Sequence, residues 1–201
     1  MNKNHHLAAT SNGNKTQLRK FYLEKRYNLN QEHLDHLSLL IIKNLLANFE
    51  LFNKKIHLFF PIKDKKEINT WHLYKRICKT ANNQLFTHIY SKKDEKWKCV
   101  TFDPNVPFIK DKFNIPTPKT HNERNANELD LIIIPLLVFD NNGHRIGYGK
   151  GIYDHILSQT NVDCKKIGIS FFKPCEKTID FESHDIPLDY CQTPYKLYQF
   201  K

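Results

Sequence analysis

The feature that most constrains the fold is the segment 129–157, which reads LDLIIIPLLVFDNNGHRIGYGKGIYDHIL. Its residues 131–134 are apolar and mostly β-branched, a run that predicts a short strand covered on both faces. Pro135 has no backbone N–H to donate to a neighbouring strand, so we expect the strand to end there. The apolar residues of 152–157 are spaced as one face of a helix. The segment therefore predicts a strand, a loop and a helix in succession.

The loop between the predicted strand and helix is rich in glycine and carries two cations. Half of the six glycines of the chain lie in its segment 145–151, which reads RIGYGKG. Backbone N–H groups beside glycines approach phosphate oxygens closely, and a helix N-terminus favours negative charge. Because Arg145 and Lys150 flank these glycines, the loop predicts a phosphate-binding site. The alternative is a glycine-rich turn that only allows a strand to meet a helix, which leaves the two cations unexplained.

Two common phosphate-binding patterns do not match this loop. The P-loop pattern needs Ser or Thr after its Gly-Lys pair, whereas Gly151 follows Lys150 here. The pattern also needs a glycine at the position that His144 occupies. The dinucleotide-binding pattern G-x-G-x-x-G fails as well, because Ile152 stands at its last glycine.

The same residues resemble a known family. The runs PLLVFD at 135–140 and RIGYGKGIYD at 145–154, with Gly143 between them, are similar to the signature of the 5-formyltetrahydrofolate cyclo-ligase family. Ile152 departs from that signature, which usually has tyrosine at this position. The resemblance implies that 5-formyltetrahydrofolate and ATP are converted to 5,10-methenyltetrahydrofolate, ADP and phosphate through a phosphorylated formyl intermediate. It also implies Mg²⁺ as a cofactor and ATP as a co-substrate.

The resemblance extends to residues expected to bind ATP. Lys15 and Arg19 lie four residues apart, so on a predicted helix both project from one face, as in the Lys-x-x-x-Arg pattern with which the family begins. Without the resemblance, such a pair is usually a solvated face. Arg145 and Lys150 are expected to act in catalysis by neutralising phosphate charge. The full set that the resemblance assigns to ATP is Lys15, Arg19, Arg145, Gly147, Tyr148, Gly149, Lys150, Gly151 and Tyr153.

A second set of residues is assigned by the resemblance to the folate: Phe60, Glu67, Phe113, Tyr148 and Ile152. Phe60 ends a predicted strand at 55–60, and Glu67 follows Pro61 in a charged loop before a predicted helix. Phe113 begins the run FNIPTP, which its prolines keep extended. The residues alone favour plainer roles, a helix-dipole partner for Glu67 and a core ring for Phe113.

Two aspartates are assigned to the metal. Asp154 closes the glycine signature and Asp189 ends the run HDIPLD, and the resemblance implies that they hold Mg²⁺ together. Carboxylate oxygens suit this hard cation, which takes one or two of them beside phosphates and waters. The alternatives are a first-turn helix acid for Asp154 and an ordinary turn residue for Asp189. The eleven histidines show neither H-x-x-x-H nor H-E-x-x-H spacing, so none is assigned to a metal.

Strands and helices alternate in the predicted order of elements. This order predicts one three-layer α/β/α domain with a mainly parallel sheet and helices on both faces. We expect residues 1–14 to form a disordered polar tail and residues 15–201 to form this domain. Further strands are predicted at 84–90, 97–102 and 166–171, and helices at 15–26 and 34–45, the second of them capped by Asn30.

The net charge of +10 indicates an anionic partner. A basic nucleic-acid-binding protein without catalysis is one alternative, and another phosphate-ligand enzyme of the same architecture is a second. The lysines are spread along the chain and no nucleic-acid motif occurs, so we expect reduced folate and ATP as partners and no nucleic acid. No run of eighteen apolar residues occurs, so we expect no membrane span. The five scattered cysteines contain no C-x-x-C pair, which favours a reduced, cytoplasmic protein, and we expect a monomer.

Overall fold

The computed structural model of the chain describes residues 11–79 and 82–200, with the backbone alone described for residues 11–14. The α-helices of these residues are α1 Ser11–Tyr27, α2 Gln31–Asn48, α3 Trp71–Ile77 and α4 Ile152–Leu157. Two short 3-10 helices, Lys63–Lys65 and Ala126–Glu128, lie in the connections.

The strands are short, and most of them belong to one sheet. They are β1 Lys55–His57, β2 Gln84–Ser91, β3 Lys96–Thr101, β4 Phe108–Lys110, β5 Pro116–Pro118, β6 Asn122–Glu123, β7 Leu131–Pro135, β8 Val138–Phe139, β9 Arg145–Ile146, β10 Lys165–Ile169, β11 Tyr190–Gln192 and β12 Leu197–Gln199. Eight of them form a sheet in the order β12-β11-β10-β7-β1-β2-β3-β6. The five central strands, β11 to β2 in that order, pair in parallel, and the outer strands pair antiparallel. Two ribbons, β4-β5 and β8-β9, lie outside the sheet.

The core lies on both faces of the sheet, with β7 at its centre. Ile133 is fully buried among residues of α2 and α3 on one face. Ile132 and Ile134 are fully buried beside residues of α4 on the other face. Because successive strand residues point to opposite faces, the apolar run is buried by both helix layers, and each isoleucine contributes about 2 kcal/mol. The predicted α/β class, the mainly parallel sheet and the helices on both faces are confirmed.

The bounds of some elements differ from those predicted. The strand predicted at 55–60 ends at His57, and residues 58–60 continue toward Pro61 outside the sheet. The helix predicted from Lys15 begins at Ser11, so residues 11–14 belong to α1. The rest of that predicted tail, residues 1–10, lies outside the described residues.

Local signals explain other element bounds. The side chain of Asn30 accepts a hydrogen bond from the N–H of His33 at 2.8 Å, which confirms the predicted cap of α2. Asn69 accepts one from the N–H of Trp71 at 3.2 Å at the start of α3. Among the helices so described, none is both long enough and apolar enough to cross a membrane.

The fold brings the two predicted halves of the site to one edge of the sheet. Strands β1 and β7 are parallel neighbours, so their carboxyl ends lie at the same edge. The chain after β1 carries Glu67, and the chain after β7 carries the glycine loop, which is residues 145–151. Ligands of open parallel sheets usually bind at this edge, beyond the carboxyl ends of the strands.

Candidate functional site

Helix α1 lies across the ribbon that carries the glycine loop. It contacts both β8 and β9, and its Tyr22 is buried in a small cluster with Val138 and Ile146 of that ribbon. The same face of α1 carries a series of cations, Lys15, Arg19 and Arg26, at intervals of four and seven residues, with Tyr22 between the last two. These intervals return to the same face of a helix, so all three cations meet the loop or its neighbours.

Arg19 is bonded directly to the glycine loop. Its Nε donates a hydrogen bond to the backbone oxygen of Gly147 at 3.0 Å. The guanidinium then covers Gly149, where a Cβ atom would stand 3.1 Å from Nη2 of Arg19. Gly149 has φ +83° and Gly151 has φ +63°, conformations that residues with a side chain rarely adopt. These two glycines are therefore required by backbone conformation, and Gly149 also by close approach.

Two other predicted phosphate cations are held by carboxylates. Lys15 Nζ lies 2.7 Å from Oδ2 of Asp185 and 3.7 Å from Oε1 of Glu182. Arg145 donates through Nη2 to Oδ1 of Asp154 at 2.6 Å. The same guanidinium donates through Nη1 to the backbone oxygen of Ile186, which fixes its plane. Sequence reasoning placed these cations in the site but did not identify Asp185 as a partner.

Lys150 is exposed and lies over an aromatic ring. Its Nζ is 4.2 Å from the centroid of the Phe113 ring. Phe113 is half-buried and stacks on Trp97 at 5.6 Å between centroids, with Tyr90 edge-on at 5.4 Å. The structure thus brings Phe113 to the glycine loop, although 37 residues separate it from Lys150 in the sequence.

Glu67 is joined to the glycine loop through Tyr148. Its Oε2 accepts a hydrogen bond from the N–H of Ile62 at 2.7 Å, and its carboxylate is hydrogen-bonded to the hydroxyl of Tyr148. Burial raises the pKa of Glu67, and the bond from Ile62, the charge of Arg26, the Tyr148 bond and the charge of Lys65 oppose that rise. Burial also raises the pKa of Tyr148, so its hydroxyl stays protonated at neutral pH.

Arg26 was missed by sequence reasoning. It is only 4% exposed, and its Nη2 donates to the hydroxyl of Tyr148. Its guanidinium carbon also lies 5.4 Å from the centroid of the Tyr148 ring. The signal in the sequence was its spacing of seven residues from Arg19, which returns to the same face of α1 after two turns.

Phe60 is buried in the core. Its ring is 2% exposed and packs among aromatic rings of the core, those of Trp71, Tyr74, Phe102 and Phe108. The strand leaves the sheet at His57, three residues before Phe60. The contact of Phe60 with the folate stays a prediction.

Ile152 and Tyr153 lie at the start of α4 and are partly buried against the core. The ring of Tyr153 packs edge-on against His57 at 6.2 Å and His88 at 5.2 Å between centroids. Its hydroxyl is buried and has no hydrogen-bond partner among the described residues. Burial raises the pKa of this hydroxyl well above its usual value, so it is a neutral donor near Glu67 and Arg145.

The two predicted metal ligands have separate partners. Asp154 Oδ1 faces Arg145 and accepts from the N–H of Ile186 at 3.3 Å. Asp189 Oδ2 instead lies 2.9 Å from Nζ of Lys166 and accepts from the same residue's N–H at 2.9 Å, on β10.

Asp154 and Asp189 thus contact different cations, and their joint binding of Mg²⁺ stays a prediction. Two other carboxylates, Asp180 and Asp185, line a cleft together with Asp154, and Asp185 lies in the run HDIPLD four residues before Asp189. Within residues 11–79 and 82–200, no group of three or more His, Cys, Asp or Glu side chains is placed to hold a metal. Two carboxylates beside a phosphate-binding loop still match the way in which Mg²⁺ is usually held.

The fold and the site define an α/β protein with a glycine loop surrounded by cations at the carboxyl edge of its sheet. The sequence model of the 5-formyltetrahydrofolate cyclo-ligase family matches residues 11–194. The chain therefore belongs to the 5-formyltetrahydrofolate cyclo-ligase family and is an enzyme of that class. Its resemblance to this family at the glycine loop is confirmed.

Individual relatives agree with this assignment. A 5-formyltetrahydrofolate cyclo-ligase of Mycoplasma genitalium is 34% identical over 182 residues, which cover 88% of this chain and 97% of the relative. The protein of the same name from Mus musculus is 28% identical over 194 residues, covering 90% and 94%.

Solved structures show a similar fold. The 5,10-methenyltetrahydrofolate synthetase of Aquifex aeolicus superposes with a TM-score of 0.72 and is 26% identical, covering 93% of each chain. The synthetase of Mycoplasma pneumoniae superposes with a TM-score of 0.67 at 24% identity, covering 90% of this chain and 98% of that one, and supports the fold.

Proposed function

We propose that this protein converts 5-formyltetrahydrofolate to 5,10-methenyltetrahydrofolate with consumption of ATP and release of ADP and phosphate. The observation that carries the proposal is the contact between Lys150 and Phe113, 4.2 Å from ammonium nitrogen to ring centroid. A cation suited to phosphate and a ring suited to the flat folate meet at one point. Family membership supports this choice over the other phosphate-ligand chemistries that the architecture permits.

The proposed chemistry needs positioning and charge neutralisation more than a protein nucleophile. The formyl oxygen attacks the γ-phosphorus of ATP, the bond from that phosphorus to the bridging oxygen breaks, and ADP leaves. N10 of the folate then attacks the formyl carbon and loses its proton, and the phosphorylated oxygen departs as phosphate. Both steps place negative charge on phosphate oxygens, so fixed cations stabilise their transition states.

The glycine loop and α1 supply the nucleotide half of the proposed site. Gly147, Gly149 and Gly151 provide backbone without side-chain cover, and Lys15, Arg19, Arg145 and Lys150 provide positive charge. We assign phosphate neutralisation in catalysis to Arg145 and Lys150. Asp154 and Asp185 fit a bound Mg²⁺, which would neutralise part of the phosphate charge. We prefer Asp185 to the Asp189 of the sequence prediction because Asp185 lines the same cleft as Asp154 and pairs with Lys15, and Asp189 remains the alternative ligand.

The other half of the proposed site receives the folate. Glu67 presents a carboxylate that accepts from ring N–H donors, and Phe113 presents a half-buried ring for stacking. Tyr148 belongs to the glycine loop and is bonded to Glu67, so it borders both halves. Ile152 is a smaller apolar contact, and the hydroxyl of Tyr153 is a neutral donor near the reacting groups. A monomeric, cytoplasmic enzyme is part of the proposal, and the free thiol state of all five cysteines agrees with a reducing compartment.

The test of the proposed function is direct. Purified protein is mixed with 5-formyltetrahydrofolate, ATP and Mg²⁺, and absorbance of the methenyl product is followed while each component is omitted in turn. We expect product only in the complete mixture, with one phosphate released per product. Without product, or with product that does not need ATP, the proposal is wrong.

A matched pair of variants places the chemistry at the glycine loop. Lys150→Met should lower kcat by about 100-fold, because one charge that stabilises the transition state is lost. Lys173→Met removes an equally exposed lysine far along the chain and should leave kcat unchanged. Equal activity of the two variants would remove Lys150 from the mechanism.

A further inference from the structure

We infer that Arg26 is a positioning residue for this reaction: through the hydroxyl of Tyr148 it orients the carboxylate of Glu67 for the folate, an assignment that rests on the proposed function. Arg26 belongs to the last turn of α1, Tyr148 to the glycine loop and Glu67 to the connection after β1. The three side chains thus connect three distant segments of the sequence.

Arg26 is a buried charge. It is 4% exposed, and a guanidinium stays protonated in proteins. Such a charge is costly to bury unless it has an opposite charge and hydrogen-bond partners. Its partners are the hydroxyl of Tyr148 and the charge of Glu67. Its Nε is buried without a hydrogen-bond partner among the described residues, so hydrogen bonds within the protein do not repay the full cost of burying this side chain.

The hydrogen bonds between these three side chains run in one direction, from Arg26 to Glu67. A phenol has one proton to donate, and its oxygen accepts. Because Nη2 of Arg26 donates to the oxygen of Tyr148, the proton of Tyr148 is directed to the carboxylate of Glu67. The N–H of Ile62 holds Oε2 of the same carboxylate at 2.7 Å. Glu67 is thereby fixed in orientation before any ligand arrives, which lowers the cost of binding.

The ionisation of Glu67 depends on its neighbours. Ile62 and Tyr148 donate hydrogen bonds to its carboxylate, and the cations Arg26 and Lys65 and the hydroxyl of Tyr153 interact with it electrostatically. Burial favours the neutral acid, whereas the two cations and the donated hydrogen bonds favour the carboxylate. If Glu67 is protonated, its O–H group faces the ring N–H donors of the proposed substrate, and two donors cannot form a hydrogen bond with each other. Arg26 therefore controls the pH range in which the folate half is competent.

The test compares three variants of α1. Arg26→Met removes the charge, Arg26→Lys keeps the charge without the guanidinium, and Lys20→Met removes an exposed cation of the same helix as a control. For Arg26→Met we expect the acid limb of kcat/KM for the folate to move up by about 1 pH unit, as loss of a close opposite charge does. The KM for ATP should stay within about twofold. Arg26→Lys should restore the position of the acid limb, and Lys20→Met should match the unchanged protein.

A double-mutant cycle separates positioning from general damage. If Arg26 acts through Glu67, Arg26→Met should weaken folate binding about tenfold in the unchanged protein and have little further effect beside Glu67→Gln. If Arg26→Met weakens folate binding equally with and without Glu67→Gln, the inference is wrong. It is also wrong if Arg26→Met lowers the melting temperature and leaves the pH profile unchanged.

Direct titration keeps this inference separable from the proposed function. The carboxyl carbon of Glu67 is followed by NMR over pH in the unchanged protein and in Arg26→Lys and Arg26→Met, without substrate. We expect a higher pKa for Glu67 in Arg26→Met only. If the unchanged protein makes no methenyl product, the proposed function fails while this titration still decides what Arg26 does. Should Arg26→Met not fold, Arg26→Gln serves in its place, and an unshifted Glu67 overturns the inference.

Discussion

The guanidinium of Arg19 lies against Gly149 so closely that a methyl group on the glycine would stand 3.1 Å from Nη2. The same guanidinium donates to the carbonyl of Gly147, two residues earlier in the loop. One side chain of α1 therefore fixes the path of the glycine loop at two of its residues.

Gly149→Ala should destabilise the loop. Its φ of +83° is unfavourable for alanine and the new methyl group meets Arg19, so we expect a loss of about 1–2 kcal/mol and weaker ATP binding. Gly147→Ala is the control for stability, because nothing lies within 4 Å of a Cβ there and its φ is not positive. Urea unfolding of both variants and titration with an ATP analogue measure the two effects. Equal stability of the two variants would contradict the prediction.

Asp154→Asn should raise the Mg²⁺ concentration needed for half-maximal activity, because one anionic ligand becomes neutral. Asp189→Asn should instead lower stability, since it weakens the pair with Lys166, whose side chain is largely buried. Activity against Mg²⁺ concentration and thermal unfolding are measured for both. If Asp189→Asn instead needs more Mg²⁺ and keeps its stability, Asp189 binds the metal together with Asp154, as the sequence predicts.

Glu67→Gln keeps the size of the side chain and replaces one acceptor by a donor. We expect a rise in KM for 5-formyltetrahydrofolate or a fall in kcat of about tenfold or more, as a lost partner at a donor-matched site produces. The affinity for an ATP analogue should be nearly unchanged. Isothermal titration with each ligand measures the two affinities separately. If the variant loses affinity for the nucleotide alone, Glu67 belongs to the nucleotide half and the prediction is wrong.

The buried histidine pair should make stability depend on pH. Burial lowers the pKa of His88 from 6.5 to about 4, and burial followed by the charge of His88 lowers the pKa of His57. The unfolded chain therefore binds more protons below pH 6.5, so stability is complete above that value and falls as pH decreases toward 4. The loss reaches about 3 kcal/mol for His88 if the whole shift is expressed. Urea unfolding between pH 7 and 4.5 measures how the free energy of unfolding depends on pH. If this dependence is the same in His88→Gln as in the unchanged protein, His88 is not its cause.

The central strand and the glycine loop were predictable because their signals are local. Residues 131–134 are apolar at every position, and only a strand between two helix layers buries such a run. The positive φ angles of Gly149 and Gly151 follow from residue type in the same way. The cap of α2 at Asn30 depends on contacts within three residues.

Features that depend on distant contacts were not predictable. Whether Phe60 faces a pocket or the core is decided by where β1 ends and by the rings that surround it. Asp185 and Asp189 lie four residues apart in one short run. Asp185 pairs with Lys15 and Asp189 pairs with Lys166 because this run packs beside both α1 and β10, and the sequence does not show that packing. The role of Arg26 depends on a tyrosine that lies 122 residues away.

The contacts of Lys15 and Arg19 have a thermodynamic consequence. Both cations already have protein partners, the carboxylate of Asp185 and the carbonyl of Gly147. In the proposed site, a nucleotide phosphate competes with Asp185 for Lys15, so its affinity is the difference between two sets of charge interactions. Arg19 uses only Nε for the loop carbonyl, and a guanidinium has four further N–H donors. Asp185 thus acts as an internal competitor, and a divalent cation that draws Asp185 away from Lys15 would release that lysine for the phosphate in the same exchange.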